Sequence, residues 1–191
     1  DPNVPGWKKT KNYLQQNKNI YLEYGSDNSG DILNIDNFVY VCEKYGSSMD
    51  IITGDGGFDF SGDFNLQEVN ISNLLFAQVA FALCLQKRGG CFVLKIFDSF
   101  MQHTIDLLYI LSSFYEKVYI CKPLFSRESN SEKYLVCKGF KYDQKKDNKK
   151  LNERIIKLEN ILENLSSNIY LQDIFPDMSL PKEYIDMFRY I

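Results

Sequence analysis

Residues 49–58 read Met-Asp-Ile-Ile-Thr-Gly-Asp-Gly-Gly-Phe. Ile51 and Ile52 form a short apolar strand ending in Thr53 and Gly54, and one carboxylate, Asp55, then stands before the turn Gly56-Gly57. In open α/β sheets the chemistry collects at the carboxyl ends of the strands. An acid placed there, followed by two glycines, marks a candidate wall of an active site. The same residues also suit a tight hairpin turn in which Asp serves only turn propensity. The flanking elements weigh between the two.

Downstream, Leu66, Val69, Leu74, Ala77, Phe81 and Leu85 recur at spacings of three to five, predicting a helix over 65–88 stopped by Gly89-Gly90. Cys91–Phe97 is a nearly continuous apolar run, the pattern of a strand buried on both faces, interrupted only by Lys95. Ile105, Leu108, Leu111 and Phe114 predict a helix over 102–115. Strands over 117–121 and 134–140 follow, separated by Pro123 and a polar loop. Upstream, 20–24 (Ile-Tyr-Leu-Glu-Tyr) is strand-like and leads through a turn-rich loop to Asp31. Asn34 or Asp36 can cap a helix running to about Lys44. Strand–helix alternation at this spacing predicts an α/β fold with a mostly parallel sheet and helices on both faces. The last two strands, with no helix between them, should form an antiparallel edge hairpin. Residues 1–19 are expected to be irregular apart from a short helix over 10–16. The α/β unit should cover 20–141. Leu151, Ile155, Leu158, Ile161, Leu162 and Leu165 predict a helical appendage within 142–191.

The chain has 191 residues, 45% of them hydrophobic, enough for a real core. Its net charge of −3 confines any nucleic-acid contact to a local patch. Five scattered cysteines (Cys42, Cys84, Cys91, Cys121, Cys137), with no C-x-x-C pair, read as reduced core thiols of an intracellular protein. With one histidine, His103, and no ligand cluster, zinc is not expected. His103 reads as a loop or helix-start residue. No uninterrupted apolar run reaches membrane-spanning length and no signal peptide is visible, so no membrane partner is expected. The chain does not begin with Met, and the expectation is that it starts inside a longer protein.

Lysine inside a buried strand is costly unless paired or used. Lys95 lies near a strand's carboxyl end, three residues before Asp98, where Asp55 should also be; Glu132 sits just before the last strand. Acid, lysine and acid thus come to three strand termini of one sheet. They form either a structural salt-bridge network or a lysine general base held by carboxylates.

The ordered runs Asp50-Ile-Ile-Thr-Gly-Asp-Gly-Gly-Phe58, Asn65-Leu-Gln-Glu68, Gly89-Gly-Cys-Phe-Val-Leu-Lys-Ile-Phe-Asp98, Lys122-Pro123 and Ser126–Gly139 resemble the FtsJ-like RNA ribose 2′-O-methyltransferases. They are most similar to the mRNA cap methyltransferases that modify the first transcribed nucleotide. The resemblance implies a Rossmann-like class I methyltransferase sheet, S-adenosylmethionine as cofactor and capped RNA as substrate. Of the family's lysine–aspartate–lysine–glutamate tetrad it places the aspartate at Asp55, the second lysine at Lys95 and the glutamate at Glu132. Asp31 and Ile32 match the segment whose acid contacts the cofactor's adenine, with Asp55 also at the cofactor. Asn65 and Asn130 fall where cap-specific relatives contact RNA, and Arg127, with Lys133 and Lys138, could meet phosphates. Plain turn or helix capping is the alternative for Asp31 and both asparagines.

The family's glycine-rich loop and first tetrad lysine have no counterpart here, and Lys8 and Lys9 do not replace them. The chain resembles the family fold from just before its third strand onward, so an upstream segment of the same protein is an expected partner. In the implied chemistry a lysine, ordinarily titrating near 10.4, serves as base only where burial and a neighbouring cation favour the free amine. Alternatives are a ribosomal-RNA 2′-O-methyltransferase of the same fold and a catalytically inactive scaffold subunit. A nicotinamide enzyme is disfavoured because the dinucleotide fingerprint is absent. The implied location is intracellular, nuclear for a cellular eukaryotic enzyme and cytoplasmic for one from a cytoplasmic virus.

Overall fold

The computed structural model describes residues 10–57, 67–127, 129–143, 147–165, 171–174, 176 and 179–187. In order the elements are α1 (Lys11–Gln16), α2 (Ile35–Tyr45), β1 (Met49–Gly54), α3 (Gln67–Asn70), α4 (Ser72–Leu85), β2 (Gln86–Ile96), α5 (Gln102–Phe114), β3 (Tyr115–Cys121), β4 (Lys133–Phe140), α6 (Asn148–Leu165) and α7 (Lys182–Met187).

The strands form one mixed sheet in the order β1-β2-β4-β3. β1 and β2 are parallel, with Thr53 opposite Val93. β4 lies between β2 and β3 and is antiparallel to both. The expectation of a mostly parallel sheet is therefore corrected: two of the three pairings are antiparallel. Much of the difference lies at 20–24, which forms no strand. Its Glu23 folds the segment onto α2 instead. The carboxylate accepts the Tyr24 and Gly25 N–H groups, both at 3.1 Å, and is gripped by Lys44 Nζ at 2.9 Å and Tyr45 OH at 2.8 Å. Those bonds hold the Glu23 carboxyl at about 2, well below the usual carboxylate range, the Lys44 bond being the largest cause. β3 and β4 do pair as the consecutive antiparallel strands expected, with β3 on the edge.

Asn34 caps α2, its side chain accepting the Asp36 N–H at 2.9 Å. The expected helix over 65–88 is shorter, ending at Leu85. Gln86 turns the chain into β2. Its Nε2 donates to the Met49 and Asp50 carbonyls at 2.8 and 3.2 Å, and its Oε1 accepts from Tyr115 OH at 3.1 Å. Gly89 and Gly90 therefore lie inside the strand and do not stop a helix. Gly90 passes so near Asp50 that a Cβ would stand 2.8 Å from its carbonyl oxygen.

Along β2 burial alternates. Phe92, Leu94 and Ile96 are at most 2% exposed, and Ile52, Val118, Ile120, Leu135 and Cys137 join them in one core beneath α4 and α5. Each fully buried Leu, Ile or Phe contributes about 1.5–3 kcal/mol. The opposite face carries Ile51, 71% exposed, and Tyr119, 45% exposed, with Val93, Lys95, Tyr134 and Val136 half-buried. Burial of 91–97 on both faces, and helices on both faces, are corrected for the described residues: the helical core lies on one side. α6 extends that core, placing Leu151, Leu158 and Leu162 against α4 and α2.

The expectation of five free thiols is also corrected. Cys42 of α2 and Cys84 of α4 are disulfide-bonded, while Cys91, Cys121 and Cys137 are free. The partners are 42 residues apart and meet only because α2 packs on α4. No helix among the described residues is long and apolar enough to cross a membrane.

Candidate active site at the carboxyl ends of the strands

β1 and β2 run in the same direction, so the Asp55 loop and the upper half of β2 share one end of the sheet. There Lys95 Nζ lies 2.5 Å from Asp55 Oδ1; the lysine side chain is 19% exposed and the aspartate 70%. The pair is held from below by α4. Gln78, 8% exposed, accepts the Gly56 N–H at 2.8 Å through Oε1 and donates through Nε2 to the Leu74 carbonyl at 3.2 Å. Glycine on both sides of Asp55 leaves room for that amide. A Cβ at Gly54 would come within 2.8 Å of Leu94 and 2.9 Å of Gln78 Oε1, and one at Gly56 within 3.0 Å of that oxygen. The turn that presents Asp55 is thus moulded on a buried amide.

Across the β2–β4 ladder Lys95 stands opposite Tyr134. Tyr134 OH donates to Glu132 Oε1 at 2.5 Å, and Asn130 Nδ2 donates to Glu132 Oε2 at 3.1 Å. Asn130 Oδ1 accepts the Glu132 N–H at 2.8 Å, so Asn130 both closes a local turn and braces the carboxylate. The bond to Glu132 pushes the Tyr134 phenol up to about 12, with burial and the charges of Glu132 and Asp55 adding to it. Asp55, Lys95, Tyr134, Glu132 and Asn130 therefore form one connected neighbourhood. Arg127 is exposed on the loop before it, its carbonyl accepting the Asn130 N–H at 3.0 Å. Asn65 lies outside the described residues.

Asp31 and Ile32 sit on the loop before α2. Asp31 Oδ1 accepts the Leu33 N–H at 2.9 Å, the turn role allowed by its sequence, and its N–H donates to Ser29 Oγ at 3.0 Å. The two residues border a cavity of about 190 Å³ with Gly25, Gly30 and Phe81. That is below the roughly 300–1,000 Å³ of a whole small-molecule site. A larger cavity, about 480 Å³, lies among the helices between Tyr109, Arg154 and Ile174, away from these strand ends. None of Asp31, Asp55, Lys95, Asn130 and Glu132 lines that cavity. No group of metal-ligating side chains occurs among the described residues.

Three residues of this neighbourhood escape sequence reasoning. Gln78 is a lone amide in an apolar helical run, which was its available signal. Tyr134 lies on β4 two residues after Glu132 and bonds back to it. Glu68 is 7% exposed and accepts the Phe100 and Met101 N–H groups at 3.1 and 2.9 Å, anchoring the loop after β2. His103, in the first turn of α5, packs near Glu68, and burial holds its pKa below the usual value.

Residues 7–140 match the family model described as FtsJ-like methyltransferase. The chain belongs to that family. Among its relatives, a protein named cap-specific mRNA (nucleoside-2′-O-)-methyltransferase 1, from Trypanosoma brucei, is 39% identical over 119 residues, covering 61% of this chain and 32% of the relative. One named cap-specific mRNA (nucleoside-2′-O-)-methyltransferase 1A, from Caenorhabditis briggsae, is 30% identical over 177 residues, covering 85% of this chain and 20% of the relative. The mouse methyltransferase 1 is 39% identical over 126 residues, 63% of this chain and 15% of its own length. The chain thus spans a third or less of these relatives. A solved ribosomal RNA methyltransferase from Plasmodium falciparum aligns with a TM-score of 0.43 at 24% identity, over 69% of this chain and 80% of the other.

Proposed function

We propose that this FtsJ-like domain serves S-adenosylmethionine-dependent methylation of a ribose 2′-hydroxyl in RNA, at the first transcribed nucleotide of capped mRNA. The observation that carries the proposal is the Lys95–Asp55 pair at the strand ends, facing the Tyr134–Glu132–Asn130 cluster across one ladder. A 2′-hydroxyl is a weak nucleophile and needs a positioned base. In this reading Lys95 Nζ takes the hydroxyl proton, and Asp55, 2.5 Å away, fixes the direction of the lysine side chain. Glu132, itself held by Tyr134 and Asn130, orients the ribose. Asp31, with one carboxylate oxygen on Leu33 and the other accepting no bond among the described residues, has the chemistry to receive an adenine amine beside Ile32. The donor set therefore fits the adenosine end of the cofactor, with Asp55 near its reactive end. When bound, S-adenosylmethionine supplies a methyl group on a sulfonium, so what these residues must provide is alignment. Asn65, Asn130 and Arg127 are assigned to the RNA. The glycine-rich loop and the first tetrad lysine would come from a further segment of the same protein.

The test is methyl transfer by the full-length protein to matched capped and uncapped RNAs, with the modified nucleotide mapped by mass spectrometry. A 2′-O-methyl on the first transcribed nucleotide, formed only on capped RNA, is expected. Modification of ribosomal RNA alone, or tight cofactor binding with no transfer, would overturn the assignment.

A further inference from the structure

Two aromatic rings at this rim have no packing role in the fold. β2 and β3 both run antiparallel to β4, so the loops after them rise from the same end of the sheet as Asp55 and Lys95. Phe100, on the loop after β2, is 83% exposed; Phe125, on the loop after β3, is fully exposed, beside the exposed Leu124. Burying a phenyl ring is among the larger single contributions a side chain makes to folding, and both rings leave it unused.

Neither loop is loose. The buried Glu68 carboxylate binds the N–H of Phe100 and of its neighbour Met101. Asp98 of the same loop lies 3.4 Å from Lys133 Nζ at the start of β4. In the second loop the Ser126 N–H returns to the Pro123 carbonyl at 3.0 Å, putting Leu124 and Phe125 at the tip of a turn. Lys122 Nζ closes the base of that loop on the Asn130 carbonyl. These bonds pin the backbone at Phe100 and at the Leu124–Phe125 turn, and both rings are exposed. β4 alone separates β2 from β3, so the loop bases stand about 10 Å apart, room for a short run of nucleotides at about 3.4 Å each when stacked.

We propose that Phe100 and Phe125 are stacking platforms for the unpaired bases flanking the acceptor ribose of a single-stranded RNA. The inference rests on the assignment of an RNA ribose as acceptor and adds how the strand is held. The rings and the Lys95–Asp55 pair share one end of the sheet, so a polymer whose ribose reaches Lys95 can run past them. Lys122 and Arg127, on the Phe125 loop, supply cations of the kind that track a phosphate backbone. Aromatic faces accept every base, which suits a substrate fixed by its end and not by its sequence.

Fluorescence anisotropy of the full-length protein with a 3′-labelled capped single-stranded oligonucleotide tests this directly, because binding needs no methyl transfer. Phe100→Ala and Phe125→Ala should each weaken binding about five- to a hundred-fold, while Phe→Tyr at either site keeps it. On an oligonucleotide with abasic sugars on both sides of the acceptor nucleotide, the wild-type protein should lose about the product of the two single-variant factors, and each alanine variant should bind that RNA about as the wild type does. Alanine variants within about two-fold of wild type on intact RNA, or an equal loss on intact and abasic RNA, would overturn the platform. Ring-dependent binding without methyl transfer would leave the platform standing and remove the methylation assignment. Methyl transfer with ring-independent binding would do the reverse. Both rings are exposed, so the thermal midpoint should not move, and the tyrosine variants separate a folding defect from loss of the ring.

Discussion

Replacing Gln78 with leucine removes the side-chain amide on which the Asp55 turn is moulded, without changing side-chain bulk greatly. The Gly56 N–H loses its acceptor at 2.8 Å, and the Leu74 carbonyl loses a weaker partner at 3.2 Å. Gly56 is half-exposed, so water can replace much of the first bond. The net loss is that of a neutral hydrogen bond, about 0.5–1.5 kcal/mol, or a fall in thermal midpoint of about 2–4 °C per kcal/mol in a chain of this size. Catalysis should suffer more than stability. Asp55 sits directly before Gly56 and aims Lys95 Nζ from 2.5 Å, and a displacement of about 1 Å at a reacting group costs on the order of a hundred-fold in rate. The expected outcome is kcat for methyl transfer lowered about ten- to a hundred-fold, with RNA affinity by anisotropy unchanged. Thermal melts followed by circular dichroism and steady-state kinetics on the same preparation measure both. A lower midpoint with kcat within about two-fold of wild type would show that Gln78 only fills space and would refute its role in positioning Asp55.

The bonds of the Glu23 latch to Lys44 and Tyr45 hold its carboxyl at about 2 in the folded state, below its ordinary 4.5. A depressed carboxyl contributes stability that is present above the unfolded pKa and lost as pH falls through the folded one. Protection of the 20–25 amides from hydrogen exchange should therefore decline between about pH 4.5 and 2 in the wild type, and Glu23→Gln should abolish that dependence. Asp106 is fully buried, accepting from Gln102 Nε2 at 2.7 Å and from the Ile174 N–H at 3.0 Å, and burial raises its pKa. Asp106→Ala strands that N–H at a cost of about 1–3 kcal/mol. Asp106→Asn, keeping an acceptor without charge, should melt near the wild type; equal losses in the two variants would contradict this account.

The fold was legible in the sequence where local pattern and burial agree. Residues 49–54 form a strand at the expected bounds, and 102–115, 117–121 and 134–140 came within a residue or two at each end. It was illegible where a long-range polar contact overrides propensity. The apolar alternation at 20–24 looks like a strand, but Glu23 has partners on α2 that no periodicity reveals. The Gly89-Gly90 pair looks like a helix stop, but Gln86 had already turned the chain by binding β1. Parallel or antiparallel pairing depends on which strand lies beside which, and β4 inserts between two earlier strands. At the candidate site the charged groups could be named from the run around Asp55 and the lysine inside Cys91–Phe97. Gln78 lies in an apolar helical run, Tyr134 on a mostly apolar strand and Glu68 in a short polar helix, and the purpose of each appears only when its partners are seen.

Lys95 as the base that accepts the 2′-hydroxyl proton is the centre of this account, and Lys95→Ala in the full-length protein tests it most directly. At saturating cofactor and capped RNA, single-turnover methyl transfer should fall by at least about 10²–10⁴-fold, the usual worth of a positioned base. S-adenosylmethionine affinity by calorimetry should stay within about three-fold, because the role proposed for Lys95 is on the hydroxyl. Turnover near the wild-type rate in that variant would contradict the account.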